Sequence, residues 1–153
     1  MSHKGIILSY RSLLDIPLHT TIITLLEGNT PLIPVPALAN TLGGGFELYI
    51  KFEWLNPTGS FKDRGMTVAI SEAAGRGVTT VMCASTGNTA ASAAAYAARA
   101  GMRCIVLIPE GKVAAGKLAG SIADGAEVLQ IRGSFDEALT RVVRTLGEYG
   151  VDE

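Results

Sequence analysis

From residue 79 onward the chain alternates short, continuously apolar runs with alanine-rich stretches of helical period, an order that few folds accept. The runs at 79–83, 103–108 and 127–131 do not alternate in polarity, which is the mark of strands covered on both faces. Helical stretches lie at 64–76, 89–100, 113–124 and 134–146. The second of these holds eight alanines and stops at Gly101, predicting a helix with a thin face that packs closely on a sheet. Gly125 ends the third, and Ser134 with Glu137 three residues on predicts a capping box at the start of the last. Strands and helices in this order predict an α/β fold, a three-layer open parallel sheet with flanking helices over about residues 64–149.

The first fifty residues read differently. Pro17, Pro31, Pro34, Pro36 and the run Gly43-Gly44-Gly45 cut them into short extended pieces, with a strand expected at 46–54. The three glycines read as a hairpin turn before that strand. A phosphate cradle would instead open a helix, and the sequence places none there. The expected organisation is an extended segment, 1–55, preceding an α/β domain, 56–153.

Composition narrows the function. With 48% hydrophobic residues and 13 basic against 14 acidic side chains, the chain is neither a disordered tail nor a protein that binds nucleic acid through excess positive charge. Its length suits one sizeable core. No apolar run approaches the roughly 20 residues that span a bilayer, and the opening run of Ile6, Ile7 and Leu8 is too short for a signal peptide, so the cytosol is the expected location. Cys83 and Cys104 sit inside apolar runs and read as buried reduced thiols rather than a disulfide. His3 and His19 have no neighbouring ligands, so no metal site is expected.

Two constellations carry chemistry. In Asn56-Pro57-Thr58-Gly59-Ser60-Phe61-Lys62-Asp63-Arg64-Gly65 a lysine stands where turn-forming residues give way to a helix. Phe61 beside it and Arg64 nearby both disfavour an ammonium, leaving an amine able to attack carbonyls. Asp63 opposes this unless it caps the helix or pairs with Arg64. The plain alternative is a solvated charge at a helix start. The second is Ser85-Thr86-Gly87-Asn88-Thr89, a hydroxyl-rich turn between a strand and a helix. Unpaired N–H groups and the positive end of the helix dipole favour an anion such as a carboxylate there. A cap at Asn88 or Thr89 would need one such residue, whereas four of the five qualify. A third motif, Gly111-Lys112-Val113-Ala114-Ala115-Gly116-Lys117-Leu118, matches seven positions of a nucleotide-binding loop but ends in leucine, which offers no hydroxyl for magnesium. Lys112 and Lys117 read as a solvated helix face, with attraction of an anionic substrate as the other reading.

Together with Glu27-Gly28-Asn29-Thr30-Pro31-Leu32 and Ile108-Pro109-Glu110-Gly111-Lys112, these residues resemble the threonine synthases, within the fold type II pyridoxal-phosphate enzymes of the tryptophan synthase beta group. The resemblance runs from about Leu25 to at least Leu139 and implies the small domain of that fold, with residues 1–55 belonging to a larger cofactor domain. It implies that Lys62 is the catalytic residue, binding pyridoxal 5'-phosphate as a Schiff base and then moving protons. It implies that Asn88 also binds the cofactor, through its phenolic oxygen, and that Ser85, Thr86 and Thr89 hold the substrate carboxylate. The implied reaction turns O-phosphohomoserine and water into threonine and phosphate. Serine or threonine dehydratases and cysteine synthases share the general plan, and a non-catalytic anion-binding module remains the third reading. Family members continue well past residue 153, so the resemblance also implies a truncated chain that is inactive by itself, with unpaired strand edges and uncovered Ile22, Ile23, Leu25 and Leu26. The homodimer common in the family is left open.

Overall fold

The computed structural model describes residues 3–111 and 115–134, together with Asp136, Glu137, Thr140 and Arg144; the side chains of 115–117 are not described. Residues 112–114 of the third motif and most of the last expected helix therefore lie outside the described residues, and Leu118 is the motif's described side chain. Asp136, Glu137, Thr140 and Arg144 are helical, and the capping box is present, the Ser134 N–H donating to Glu137 Oε2 at 2.6 Å and the Glu137 N–H to Ser134 Oγ at 3.3 Å.

Three parallel strands follow the expected order: β3 (Thr80–Ala84), β4 (Arg103–Pro109) and β5 (Glu127–Ile131), with β4 in the centre. Their register sets Val81 beside Cys104 and Val106 beside Val128. Helix α4 (Asn88–Ala100) connects β3 to β4, and α5 (Ala115–Ala123) lies between β4 and β5. Every residue of β4 after Arg103 is buried, as a central parallel strand requires. On one face Cys104, Val106 and Ile108 pack with Ala90, Ala93, Ala94 and Ala97 of α4 and Leu118 of α5. The alanines recur at helical spacing and are almost fully buried, so the thin face seats the helix against the strands. Ile105 and Leu107 point to the other face, where Met82, Ala84 and Ile131 join them.

Helix α4 stops where its sequence says. Gly101 takes a left-handed conformation, φ 69°, and the Met102 N–H reaches back to the Ala97 carbonyl at 2.9 Å while the Gly101 N–H meets that of Ala98, a pattern a side chain at 101 would strain. Gly125 ends α5 with the same two bonds, to Ser121 and Ile122. Cys83 and Cys104 are free thiols on adjacent strands. Burial pushes the Cys83 thiol up to about 12 and Cys104 upward, so both pack as small apolar groups.

The first fifty residues correct the expectation of extended pieces alone. A short helix α1 (Ile6–Tyr10) opens the described chain, and a second, α2 (Pro36–Thr41), separates β1 (Leu32–Pro34) from β2 (Tyr49–Lys51). β1 and β2 pair antiparallel, Ile33 opposite Ile50. Gly43, Gly44 and Gly45 all have positive φ, but they turn the chain out of α2 rather than closing a tight hairpin. The strand expected at 46–54 shrinks to three residues because a 3-10 turn takes Glu53–Leu55. Ile22, Ile23 and Leu25 are half-buried, and Leu26 alone of that group is exposed. The Ile23 backbone is caught on helix α3 (Lys62–Gly75), its N–H by Ser71 Oγ at 2.9 Å and its carbonyl by the Thr67 hydroxyl at 2.7 Å. Exposed apolar side chains lie on the β1–β2 ribbon, at Trp54, Leu55 and Phe61 beyond it, and at Leu13 and Leu18.

Candidate functional site

Helix α3 begins at Lys62, two residues earlier than its periodicity suggested, so the lysine stands at the turn-to-helix junction. Asn56 organises the turn. Its Oδ1 accepts the Gly28 N–H at 2.9 Å and its Nδ2 donates to the Glu53 carbonyl and carboxylate at 2.8 and 2.7 Å. The Gly59 N–H closes back on the Asn56 carbonyl, and Gly59 has a φ of 77°. Ser60 Oγ then accepts the Lys62 N–H at 3.3 Å. The Lys62 ammonium lies 4.7 Å from the centre of the Phe61 ring, a cation–π contact, and has no ion pair among the described residues.

The charges beside Lys62 are committed elsewhere. Arg64 grips Glu53 with two bonds, 2.9 and 2.8 Å, and reaches Thr30 Oγ1 at 3.0 Å, so its charge is paired and turned toward the Glu27–Leu32 motif. Asp63 neither caps the helix nor pairs with Arg64. Fully buried, it accepts the Thr58 N–H at 2.8 Å, the Thr58 hydroxyl at 2.5 Å and the Ser92 hydroxyl at 2.6 Å. Ser92 lies on α4, so the first turn of α3 is tied to that helix.

Arg64 hydrogen bonds hold the Glu53 carboxyl at about 2, well below its ordinary 4.5; burial opposes this, while Asn56, Thr30 and the Arg64 charge add to it. Burial also opposes the charge on Glu27, but the N–H of Ile6, its own backbone N–H, and the hydroxyls of Tyr96 and Thr24 together hold its carboxyl below the ordinary value. Carboxyls depressed in the folded state stabilise it above their unfolded value and lose that contribution as pH falls. Thermal unfolding measured against pH should therefore show these groups contributing fully at neutral pH. Their contribution should decline from about pH 4.5 toward 2, with Glu53→Gln giving the shallower acid limb.

The second constellation forms the connection from β3 to α4. Gly87 occupies the N-cap, and no side chain caps the helix. Asn88 and Thr89 are the first two residues inside α4, so capping does not account for them. Ser85 Oγ accepts the Gly87 N–H at 3.2 Å, bending the turn. Among the described residues the side chains of Thr86, Asn88 and Thr89 have no hydrogen bond, and Asn88 is exposed. The turn thus keeps donors available at the positive end of a 13-residue helix. Ser92 follows Asn88 by four residues and Thr89 by three, hence one turn further along the same side of α4. Through the Ser92–Asp63 bond both constellations sit at linked helix starts.

The remaining motif residues build the support. Glu27 is fully buried, taking the Ile6 N–H at 2.9 Å, the Thr24 hydroxyl at 2.9 Å and the Tyr96 hydroxyl at 2.8 Å, and His3 donates to its carbonyl. Lys51 is fixed on the Thr30 carbonyl. Sequence reasoning missed Glu53, Ser92 and Tyr96 as members of this support. The available signals were a polar Ser92 on an otherwise apolar alanine face and opposite charges at Glu53 and Arg64. A lysine at one helix start and uncommitted hydroxyl and amide donors at another, linked through Asp63 and Ser92, are groups of the kinds that an aldehyde cofactor and an amino-acid carboxylate would need. Among the described residues no group of His, Cys, Asp or Glu is arranged for a metal, and no helix is long and apolar enough to cross a membrane.

Residues 23–150 match the family model described as pyridoxal-phosphate dependent enzyme. A threonine synthase of Synechocystis is 56% identical over 146 residues, 95% of this chain and 38% of that protein. One of Mycobacterium leprae is 56% identical over 135 residues, 88% and 37% of the respective chains. The chain therefore spans well under half the length of these relatives. Among solved structures, a threonine deaminase of Solanum lycopersicum superposes with a TM-score of 0.71 at 27% identity, covering 82% of this chain and 34% of its own. A pyridoxal 5'-phosphate-dependent aspartate racemase superposes with a TM-score of 0.67 at 32% identity, covering 75% and 36%.

Proposed function

Since the chain belongs to the pyridoxal-phosphate dependent enzymes, we propose that it forms the amino-terminal part of a threonine synthase, acting on O-phosphohomoserine and water to yield threonine and phosphate. The observation that carries this reading is the unpaired Lys62 amine at the start of α3, linked through Asp63 and Ser92 to the open turn of α4. Identities of 54 to 56% to threonine synthases, against 27% to the deaminase, support this substrate over those of the sister activities.

In this proposal Lys62 holds the cofactor through its amine and afterwards carries a proton to and from the substrate carbon. Pyridoxal phosphate, when bound, draws electrons from the carbon next to the substrate's amino group and makes its protons removable. Asn88 donates its amide to the cofactor's phenolic oxygen. Ser85, Thr86 and Thr89, with the N–H groups at the start of α4, hold the substrate's carboxylate and so orient the bond to be broken. Residues 56–153 make the small domain, while 1–55 also serve a larger cofactor domain, for which the exposed β1–β2 ribbon offers a packing surface. A cytosolic location and a homodimer belong to the same proposal.

The test is product analysis with the full-length protein and added pyridoxal phosphate. Phosphate release from O-phosphohomoserine is the expected outcome. Keto-acid release from threonine without phosphate release would assign a dehydratase. Neither product, with phosphate binding unchanged by Lys62→Ala, would leave an anion-binding module.

A further inference from the structure

Asp63 occupies an unusual place for a carboxylate. It directly follows the proposed cofactor lysine, is fully buried, and forms an ion pair with neither neighbouring cation. All three of its hydrogen bonds come from neutral donors. Two belong to Thr58, in the turn that delivers the chain to Lys62, and the third is the hydroxyl of Ser92. One carboxylate thus joins the loop before the lysine, the first turn of α3 and the second turn of α4. The Ser92 arm is buried at both ends, so water does not compete for it. A buried carboxylate held by short bonds resists displacement, because a lost bond on its Ser92 side would have no solvent to replace it.

We propose that Asp63 is a positioning residue, with Ser92 as its receiver, setting the separation between the Lys62 amine and the donors at Thr86, Asn88 and Thr89. This rests on the reading of Lys62 as the cofactor-binding amine. The amine must meet a carbon of the same molecule whose carboxylate the α4 turn holds, so alignment of the two helix starts sets the rate. A misplacement of about 1 Å costs on the order of 100-fold in such a step. Binding at either start alone is affected far less.

The test compares Ser92→Ala and Asp63→Asn with the unsubstituted full-length protein. Ser92→Ala removes only the arm between helices and puts alanine into an alanine-rich helix, so the fold is retained. Four quantities are read: the melting temperature, kcat and KM for O-phosphohomoserine, and the rate at which pyridoxal phosphate with borohydride labels Lys62, located by peptide mass. The expected result for Ser92→Ala is a fall in kcat of about 10- to 100-fold with KM within about threefold, slower labelling of Lys62, and a small melting shift. Asp63→Asn should fall at least as far. Wild-type kcat and labelling in folded Ser92→Ala, or losses that merely follow the folded fraction, would overturn the positioning role alone. Absence of Lys62 labelling in the unsubstituted protein would overturn the underlying reading as well.

Discussion

Lys62→Ala is expected to remove at least about 1,000-fold of the activity of the full-length protein, together with all covalent retention of pyridoxal phosphate after borohydride reduction. Lys62 stands at the first residue of α3. Lys51 is held on the Thr30 carbonyl by its own hydrogen bond. Lys62→Arg should fail equally, because a guanidinium keeps the charge and still cannot condense with an aldehyde. The alanine and arginine variants together therefore separate the amine's chemistry from its charge. Folding should hardly register either change. The side chain lies over the Phe61 ring, a contact worth about 0.5–1 kcal/mol at an accessible site, so unfolding should shift by no more than that. Activity or labelling that survives the substitution would remove Lys62 from the chemistry.

What the sequence made legible was local. The three parallel strands announce themselves because continuous apolar runs are what a doubly covered sheet requires, and the glycine stops at 101 and 125 because only glycine takes the left-handed turn cheaply. The position of Lys62 was legible for the same reason, turn residues giving way to a helix. Helices α1 and α2 escaped because five and six residues are too few to show a period. The supporting network escaped because its bonds join distant residues: Tyr96 reaches Glu27 across 69 positions and Arg64 reaches Thr30 across 34. Asp63 shows the limit most plainly. Its sequence neighbours offered a helix cap or Arg64 as partner, whereas the fold brings Ser92 against it from 29 positions away. Arg64 was one of two cations adjacent to it in sequence, yet Glu53 takes it, because a bidentate carboxylate outcompetes a single adjacent contact.

The largest loss of stability should come from Glu27→Ala. Glu27 Oε1 accepts the Ile6 N–H, and Oε2 accepts the Thr24 hydroxyl, the Leu25 N–H and the Tyr96 hydroxyl. One carboxylate thereby anchors α1, the 23–28 segment and α4. Alanine would leave those donors facing a cavity, and each buried donor left unpaired costs about 1–3 kcal/mol. Relaxation and water entry will recover part of the sum, leaving a loss on the order of 4 kcal/mol, which belongs to the exceptional class for one substitution. For a chain of this length that is a fall in melting temperature of roughly 10 °C, readable by circular dichroism. Tyr96→Phe removes one donor and leaves the carboxylate three others, so its cost should stay near 1 kcal/mol. Glu27→Gln should fall between them, since its amide group turns a second donor toward N–H groups that need an acceptor. That order, alanine above glutamine above Tyr96→Phe, distinguishes a carboxylate that organises the amino-terminal segment from one merely enclosed by it. If Glu27→Ala cost less than about 1 kcal/mol, the segment would be held by its apolar contacts, with Ile7 and Ile16 seating it, and the buried charge would be incidental.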